Sequence, residues 1–122
     1  MNFKIVINRA YEELKKKNIK SALIDSELLL SQATNKSREF IILNLDHDIS
    51  KKEYDYFKKM VNQRSKGKPI AYLTGKKFFW KDEFLINENV LIPRPDTEVI
   101  IEQVLKIYKK KNKVSFLDIG FG

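Results

Sequence analysis

Cysteine is absent from these 122 residues, and histidine occurs once. Without thiols there is no disulfide framework, no cysteine-bound zinc and no thiol chemistry, so an oxidising compartment is not required. The one histidine, His47, stands between Asp46 and Asp48. Neighbouring aspartates point different ways, and a stable metal site needs roughly three or four converging ligands, so this triplet reads as a polar loop. Long apolar runs are missing too. No stretch approaches the roughly eighteen apolar residues that cross a bilayer. Met1 to Arg9 has neither the apolar core nor the small-residue cleavage site of a signal peptide. The expected location is the cytoplasm, with no membrane partner.

Arginine is scarce. Twenty lysines and four arginines against sixteen acids leave a net charge of +8, which favours an acidic partner such as nucleic acid or a ribonucleoprotein-associated factor. The opposing reading is a solvated lysine-rich surface, because phosphate readers rely on arginine forks. What is abundant is core material. With 43% apolar and 11% aromatic residues, the chain can build one compact core and a little more than one domain, and disorder is not expected.

Four helical patterns come first. Phe3, Val6, Ile7, Ala10, Tyr11 and Leu14 recur at helical spacing and run into Lys15-Lys16-Lys17-Asn18, cations suited to a helix carboxyl end. Ser21 precedes a segment to Thr34-Asn35 that is apolar around so much of its circumference that it should be the central helix of a bundle. Ser37 caps a short third helix through Leu43. Ser50-Lys51-Lys52-Glu53 has capping-box spacing and opens a fourth, with Tyr54, Phe57 and Val61 on one face and Met60 beside them, stopped by Lys66-Gly67-Lys68-Pro69. Tyr54, Tyr56 and Phe57 could stack bases, but their helical spacing argues for core packing.

At Gly67 the character changes. Gly67 to Gly75 is a short glycine-bracketed element. Phe78-Phe79-Trp80 and Phe84-Leu85-Ile86 flank a polar Lys81-Asp82-Glu83 and read as a hairpin, which should lean on neighbours because a lone hairpin is marginal in water. Pro93 and Pro95 hold Arg94 extended, and Asp96, Thr97 and Glu98 start a helix carrying Ile100, Ile101, Val104, Leu105 and Tyr108. Val114, Phe116, Leu117 and Ile119 then read as a strand of a parallel sheet buried on both faces. Gly120 and Gly122 follow at its carboxyl end, where glycines let a backbone turn tightly around a ligand. A glycine turn that binds nothing is the competing reading.

Gly67-Lys68-Pro69-Ile70-Ala71-Tyr72-Leu73-Thr74-Gly75, the Phe78 to Ile86 hairpin, Val90 to Glu98 and Phe116 to Gly122 closely resemble the bacterial release factor glutamine methyltransferases (HemK/PrmC family). The resemblance spans nearly the whole chain and is weak only over residues 1–60. It implies a mainly α chain: a helical bundle over 1–75 that recognises the release factor, a β-hairpin linker over 76–89, and over 90–122 the first helix and strand of a truncated Rossmann-like methyltransferase domain. The implied reaction moves a methyl group from S-adenosylmethionine to the glutamine amide of the Gly-Gly-Gln loop of class I peptide chain release factors. Asp118, Gly120, Phe121 and Gly122 would belong to the cofactor turn, although Phe121 stands where the family usually has a small threonine. Arg94, Thr97 and Glu98 would line the substrate or cofactor cleft; alternatively they form a rigid helix start whose charges pair with each other.

The amide nitrogen is a poor nucleophile because its lone pair is delocalised. An enzyme must align it with the sulfonium methyl and stabilise the charge that develops. In the family an Asn-Pro-Pro-Tyr segment does this, and these 122 residues contain none, so no catalytic residue is assigned to this chain, and no metal site. The alternative reading is a nucleic-acid-binding helical module of an adenine-type amino-methyltransferase, which shares that later chemistry.

Overall fold

The computed structural model describes residues 1–119. The chain divides into two compact units, Met1–Thr74 and the residues from Gly75 onward.

The first unit is five helices: α1 (Phe3–Lys16), α2 (Ala22–Thr34), α3 (Arg38–Leu43), α4 (Lys51–Ser65) and α5 (Ile70–Thr74). The four patterns expected from the sequence are all present. Each end has a local chemical cause. Asn2 opens α1 by accepting the Ile5 N–H at 3.0 Å. Asn18, at φ 60°, turns left-handed so that the Ile19 N–H reaches back to the Leu14 carbonyl, a closure asparagine tolerates better than most residues. Asn35, at φ 55°, ends α2 in the same way. Ser37 Oγ accepts from the Phe40 N–H, and Ser50 with Glu53 makes the full reciprocal capping box. The Gly67 to Gly75 element is the short helix α5, bracketed by two glycines at φ 101° and 76°.

Phe3, Val6, Leu14, Leu29, Leu30 and Ile41 are fully buried and form one cluster with Ala10, Phe57, Met60, Val61 and Leu73. Helix α2 touches α1, α3, α4 and α5, so it is the central helix. Its apolar circumference is nevertheless not all used. Leu23 and Ile24 are half exposed, while Asp25, Ser26 and Thr34 are buried. Ser26 and Thr34 donate to carbonyls one turn back, at Ala22 and Leu30, a way of satisfying buried hydroxyls inside a helix. Asp25 instead accepts from Arg64 Nε at 2.8 Å and from the Ser21 hydroxyl at 2.9 Å. Arg64 also donates to the Lys68 carbonyl. Ser21 therefore spends its hydroxyl on Asp25 and makes no side-chain cap to its helix.

The loop holding His47 closes the other end of the bundle. Phe3 N–H donates to the His47 carbonyl and Ile49 N–H to the Met1 carbonyl. The imidazole packs against the rings of Phe3 and Phe40.

The second unit holds β1 (Lys76–Phe79), β2 (Asp82–Leu85) and α6 (Pro95–Tyr108). The hairpin is antiparallel with Phe79 opposite Asp82, so its turn is Trp80-Lys81 and not the expected Lys81-Asp82-Glu83. Trp80 supplies the positive φ, 58°, that a tight hairpin turn with native twist needs. Asp82 and Glu83 are thereby drawn into the strand, and Glu83 reaches Lys76 at 3.7 Å.

Helix α6 starts as its sequence implies, with Arg94 extended at ψ 143° before Pro95. No α6 residue is fully buried. The strand expected from Val114 differs more. Residues 114–119 lie outside any strand, and Phe116, Leu117 and Ile119 are exposed. A parallel strand takes its hydrogen bonds and both covering faces from neighbours, and none of the described residues supplies them. The Phe116 ring does meet Tyr108, at 5.7 Å. Among the described residues no helix is long and apolar enough to cross a membrane.

Removing one member of a buried ion pair strands the other. Asp25→Ala or Arg64→Ala should each lower unfolding free energy by about 3 kcal/mol, whereas Asp25→Leu with Arg64→Met should cost much less than the sum of the two. Urea midpoints of the three variants check this, and additive losses would contradict it. The capping box gives a pH dependence. The Ser50 hydroxyl and then its backbone N–H hold the Glu53 carboxyl below its ordinary value, with Lys36 and His47 adding to the effect. A depressed folded-state value means stability that is present above the unfolded value and is lost as pH falls through the folded one. Between neutral pH and about pH 3, melting temperature should fall less steeply in Glu53→Gln than in the unaltered chain.

Candidate functional site

Two regions carry chemistry, one in each unit. In the second unit the site is built on a chain reversal. Asn87 takes the N–H groups of Asn89, through its side chain, and Val90, through its carbonyl. The chain then runs extended through Pro93-Arg94-Pro95 into α6. Proline on either side of Arg94 removes backbone freedom, so the guanidinium is presented from a fixed base. Arg94 and Thr97 are exposed at the helix start, and the Thr97 N–H closes the first turn onto the Arg94 carbonyl.

Glu98 is placed differently. It is half-buried, and its Oε1 accepts the backbone N–H of Trp80 at 2.7 Å. The three residues expected to line one cleft are thus divided, two facing solvent and one turned to the hairpin tip. The Trp80 contact is invisible to pattern reading, because the two residues lie 18 apart and neither spacing nor residue type marks them as partners.

The hairpin has two unlike faces. Phe79 and Phe84 meet edge to face at 6.1 Å on one. Phe78 and Leu85, 69% and 90% exposed, stand on the other beside the Lys76–Glu83 pair. Of the expected cofactor residues, Asp118 is exposed and outside any strand; Gly120, Phe121 and Gly122 lie outside the described residues. The described half of the cofactor turn therefore offers one carboxylate and no enclosed cradle.

In the first unit the site is electrostatic. Asp25 at the start of α2 meets Arg64 at the end of α4, so those helices run antiparallel. The short link from Lys17 to Ser21 carries the chain from the end of α1 into the start of α2. The ends of α1 and α4 and the start of α2 therefore share one pole. Lys15, Lys16, Lys17, Lys20 and Lys66 are exposed there. Of the carboxylates near that pole, Asp25 is buried and committed to Arg64, while Glu12 and Glu13 of α1 are exposed beside Lys16. Asp46 and Asp48 sit at the opposite pole beside Asn2. Between α1 and α4 the apolar groove beside Val6 and Val61 holds about 150 Å³, and a more open, charged depression beside Glu13, Asp55 and Lys58 holds about 400 Å³. No group of three or more metal-ligating side chains occurs among the described residues.

A family model described as the PrmC N-terminal domain matches residues 6–75, which is the bundle, including the part where motif resemblance is weakest. A release factor glutamine methyltransferase of Leptospira interrogans is 40% identical over 104 residues, covering 85% of this chain and 36% of that protein. One of Buchnera aphidicola is 37% identical over all 122 residues, 43% of its length. A bifunctional methyltransferase of Rickettsia conorii is 34% identical over 111 residues, 91% of this chain and 21% of that protein. The chain thus spans less than half the length of these relatives.

Proposed function

The chain belongs to the PrmC N-terminal domain family, and on that premise we propose that it is the substrate-recognition part of a methyltransferase that acts on class I peptide chain release factors. In this reading the complete enzyme moves a methyl group from S-adenosylmethionine to the glutamine side-chain amide of the Gly-Gly-Gln loop. The names of the relatives support the substrate and the reaction class. The cofactor and the loop are what the resemblance at Gly67 to Gly75 and Val90 to Glu98 implies, and the cytoplasmic setting is the expectation for a sequence whose first residues do not read as a signal peptide and whose apolar runs are short.

The observation that carries the recognition role is the lysine pole of a bundle that is otherwise closed. Its core is apolar and its buried polar groups are mutually satisfied, so chemistry within it has no reactive group to use. Binding energy from such a remote surface can place a glutamine on a mobile loop in line with the sulfonium methyl. S-adenosylmethionine supplies the methyl cation equivalent. Asp118 would stand at the base of the cofactor turn, and Arg94, presented between two prolines, would orient substrate or cofactor. The 122 residues do not contain the Asn-Pro-Pro-Tyr segment, so by themselves they bind partner without transferring methyl.

Calorimetry on the chain tests this. A class I release factor should bind, and binding should weaken from low to physiological ionic strength; Lys16→Glu with Lys17→Glu should slow association by about tenfold. S-adenosylmethionine should give no micromolar isotherm. Salt-independent binding would remove the electrostatic role.

Transfer is tested in a full-length enzyme carrying this sequence, with labelled methyl donor. Label should reach wild-type release factor, and neither a Gln-to-Ala version of its Gly-Gly-Gln loop nor duplex DNA. Label on DNA would instead favour an adenine-type enzyme. Arg94→Ala should lower transfer by about tenfold or more, while changing stability by less than about 0.5 kcal/mol as an exposed side chain. Parallel losses of both would make the arginine a structural part of the helix start.

A further inference from the structure

We infer that Glu98 is a positioning residue, whose carboxylate latches the hairpin turn onto the helix that carries Arg94. Three observations converge. The Glu98 Oε1 to Trp80 N distance is 2.7 Å, short for an N–H donor and typical of a charge-assisted bond. Glu98 lies in the first turn of α6, where the helix dipole favours its charged form. Trp80 holds φ 58°, a left-handed conformation that is strained for a bulky residue and persists only where surrounding contacts enforce it.

Among the described residues the hairpin's sheet consists of two strands, β1 and β2, and a two-stranded ribbon alone is marginal in water. A single strong bond at its tip therefore matters more than it would in a larger sheet. Pro93 and Pro95 stiffen the chain around Arg94, and one helical turn separates Arg94 from Glu98. The latch thereby makes the hairpin tip, the start of α6 and the base of Arg94 one unit. A carboxylate occupied in this way is a poor choice for contacting substrate. Its effect on transfer, which rests on the proposed methyltransferase reading, runs through the placement of Arg94 and of the hairpin aromatics.

The latch has a direct reporter. Amide hydrogen exchange at Trp80, the sole tryptophan, reads the donor itself in the 122-residue chain. Glu98→Ala should lower Trp80 protection by about tenfold or more. Glu98→Gln, whose side-chain carbonyl still accepts, should retain most of it. In the full-length enzyme, Glu98→Ala should lower kcat by about tenfold to a hundredfold with little change in KM for the release factor, and Glu98→Gln should recover most of that loss. Unchanged protection in Glu98→Ala overturns the latch. Protection kept in Glu98→Gln with kcat lost as fully as in Glu98→Ala overturns the positioning role and makes the charge a substrate contact. An unaltered full-length enzyme that fails to label release factor would overturn the functional reading, whereas the latch itself is decided by the Trp80 amide alone.

Discussion

The buried pair between Asp25 and Arg64 is the contact on which the bundle depends. Leucine, isoleucine and phenylalanine side chains in a core attract one another without much regard to register, since burial scales with area and not direction. An ion pair taken out of water is different. Its desolvation is costly unless the partners meet in good geometry with their remaining hydrogen bonds made. Asp25 has Arg64 and Ser21 as donors, and Arg64 has a second acceptor at the Lys68 carbonyl. Among the ways α2 and α4 could pack, those that separate these residues leave a charge uncompensated. The pair thus selects one register for the two helices, and through Lys68 it also fixes where the chain leaves α4 for Gly67 and α5.

That register has a consequence for the surface. Because α1 runs through a short link into α2, whose start meets the end of α4, three helix ends meet at one pole, and the lysines that suit the carboxyl ends of α1 and α4 accumulate there. Each lysine has a local justification in the helix dipole. Their convergence does not; it comes from the packing. A charge pattern that looks like a scattered basic composition in the sequence becomes, in the fold, a lysine cluster at one pole, flanked by Glu12 and Glu13.

The same distinction separates what was legible in the sequence from what was not. Helix ends were legible because their causes are local: Ser50 with Glu53, Ser37 with Phe40, and asparagines able to turn left-handed at Asn18 and Asn35. The buried stripe of α1 followed from spacing alone. Contacts between distant residues were not legible. Asp25 and Arg64 are 39 residues apart, and neither spacing nor residue type marks them as partners. The same ignorance made Leu23 and Ile24 look like core. In the hairpin, the acidic residues suggested a turn at Lys81 to Glu83, yet turn position follows strand register and the φ that Trp80 accepts. The run from Val114 has the composition of a buried strand, but a strand is a relation between segments, and composition describes only one of them.

On the proposed reading, both units serve one physical problem with different means. A glutamine amide reacts only when held within a narrow geometry, and the cost of holding it must come from contacts elsewhere. In that reading the bundle supplies those contacts from a surface over an already packed core, so little of the binding energy would go into ordering it. The second unit must supply direction, and it has little core with which to do so. It relies on constraints that act on few atoms: two prolines around Arg94, a left-handed Trp80, and one carboxylate joining hairpin to helix. On the proposed reading, charge brings the partner in and these constraints aim it. The first needs many weak, interchangeable lysines, and the second needs a few residues for which no substitute makes the same bond.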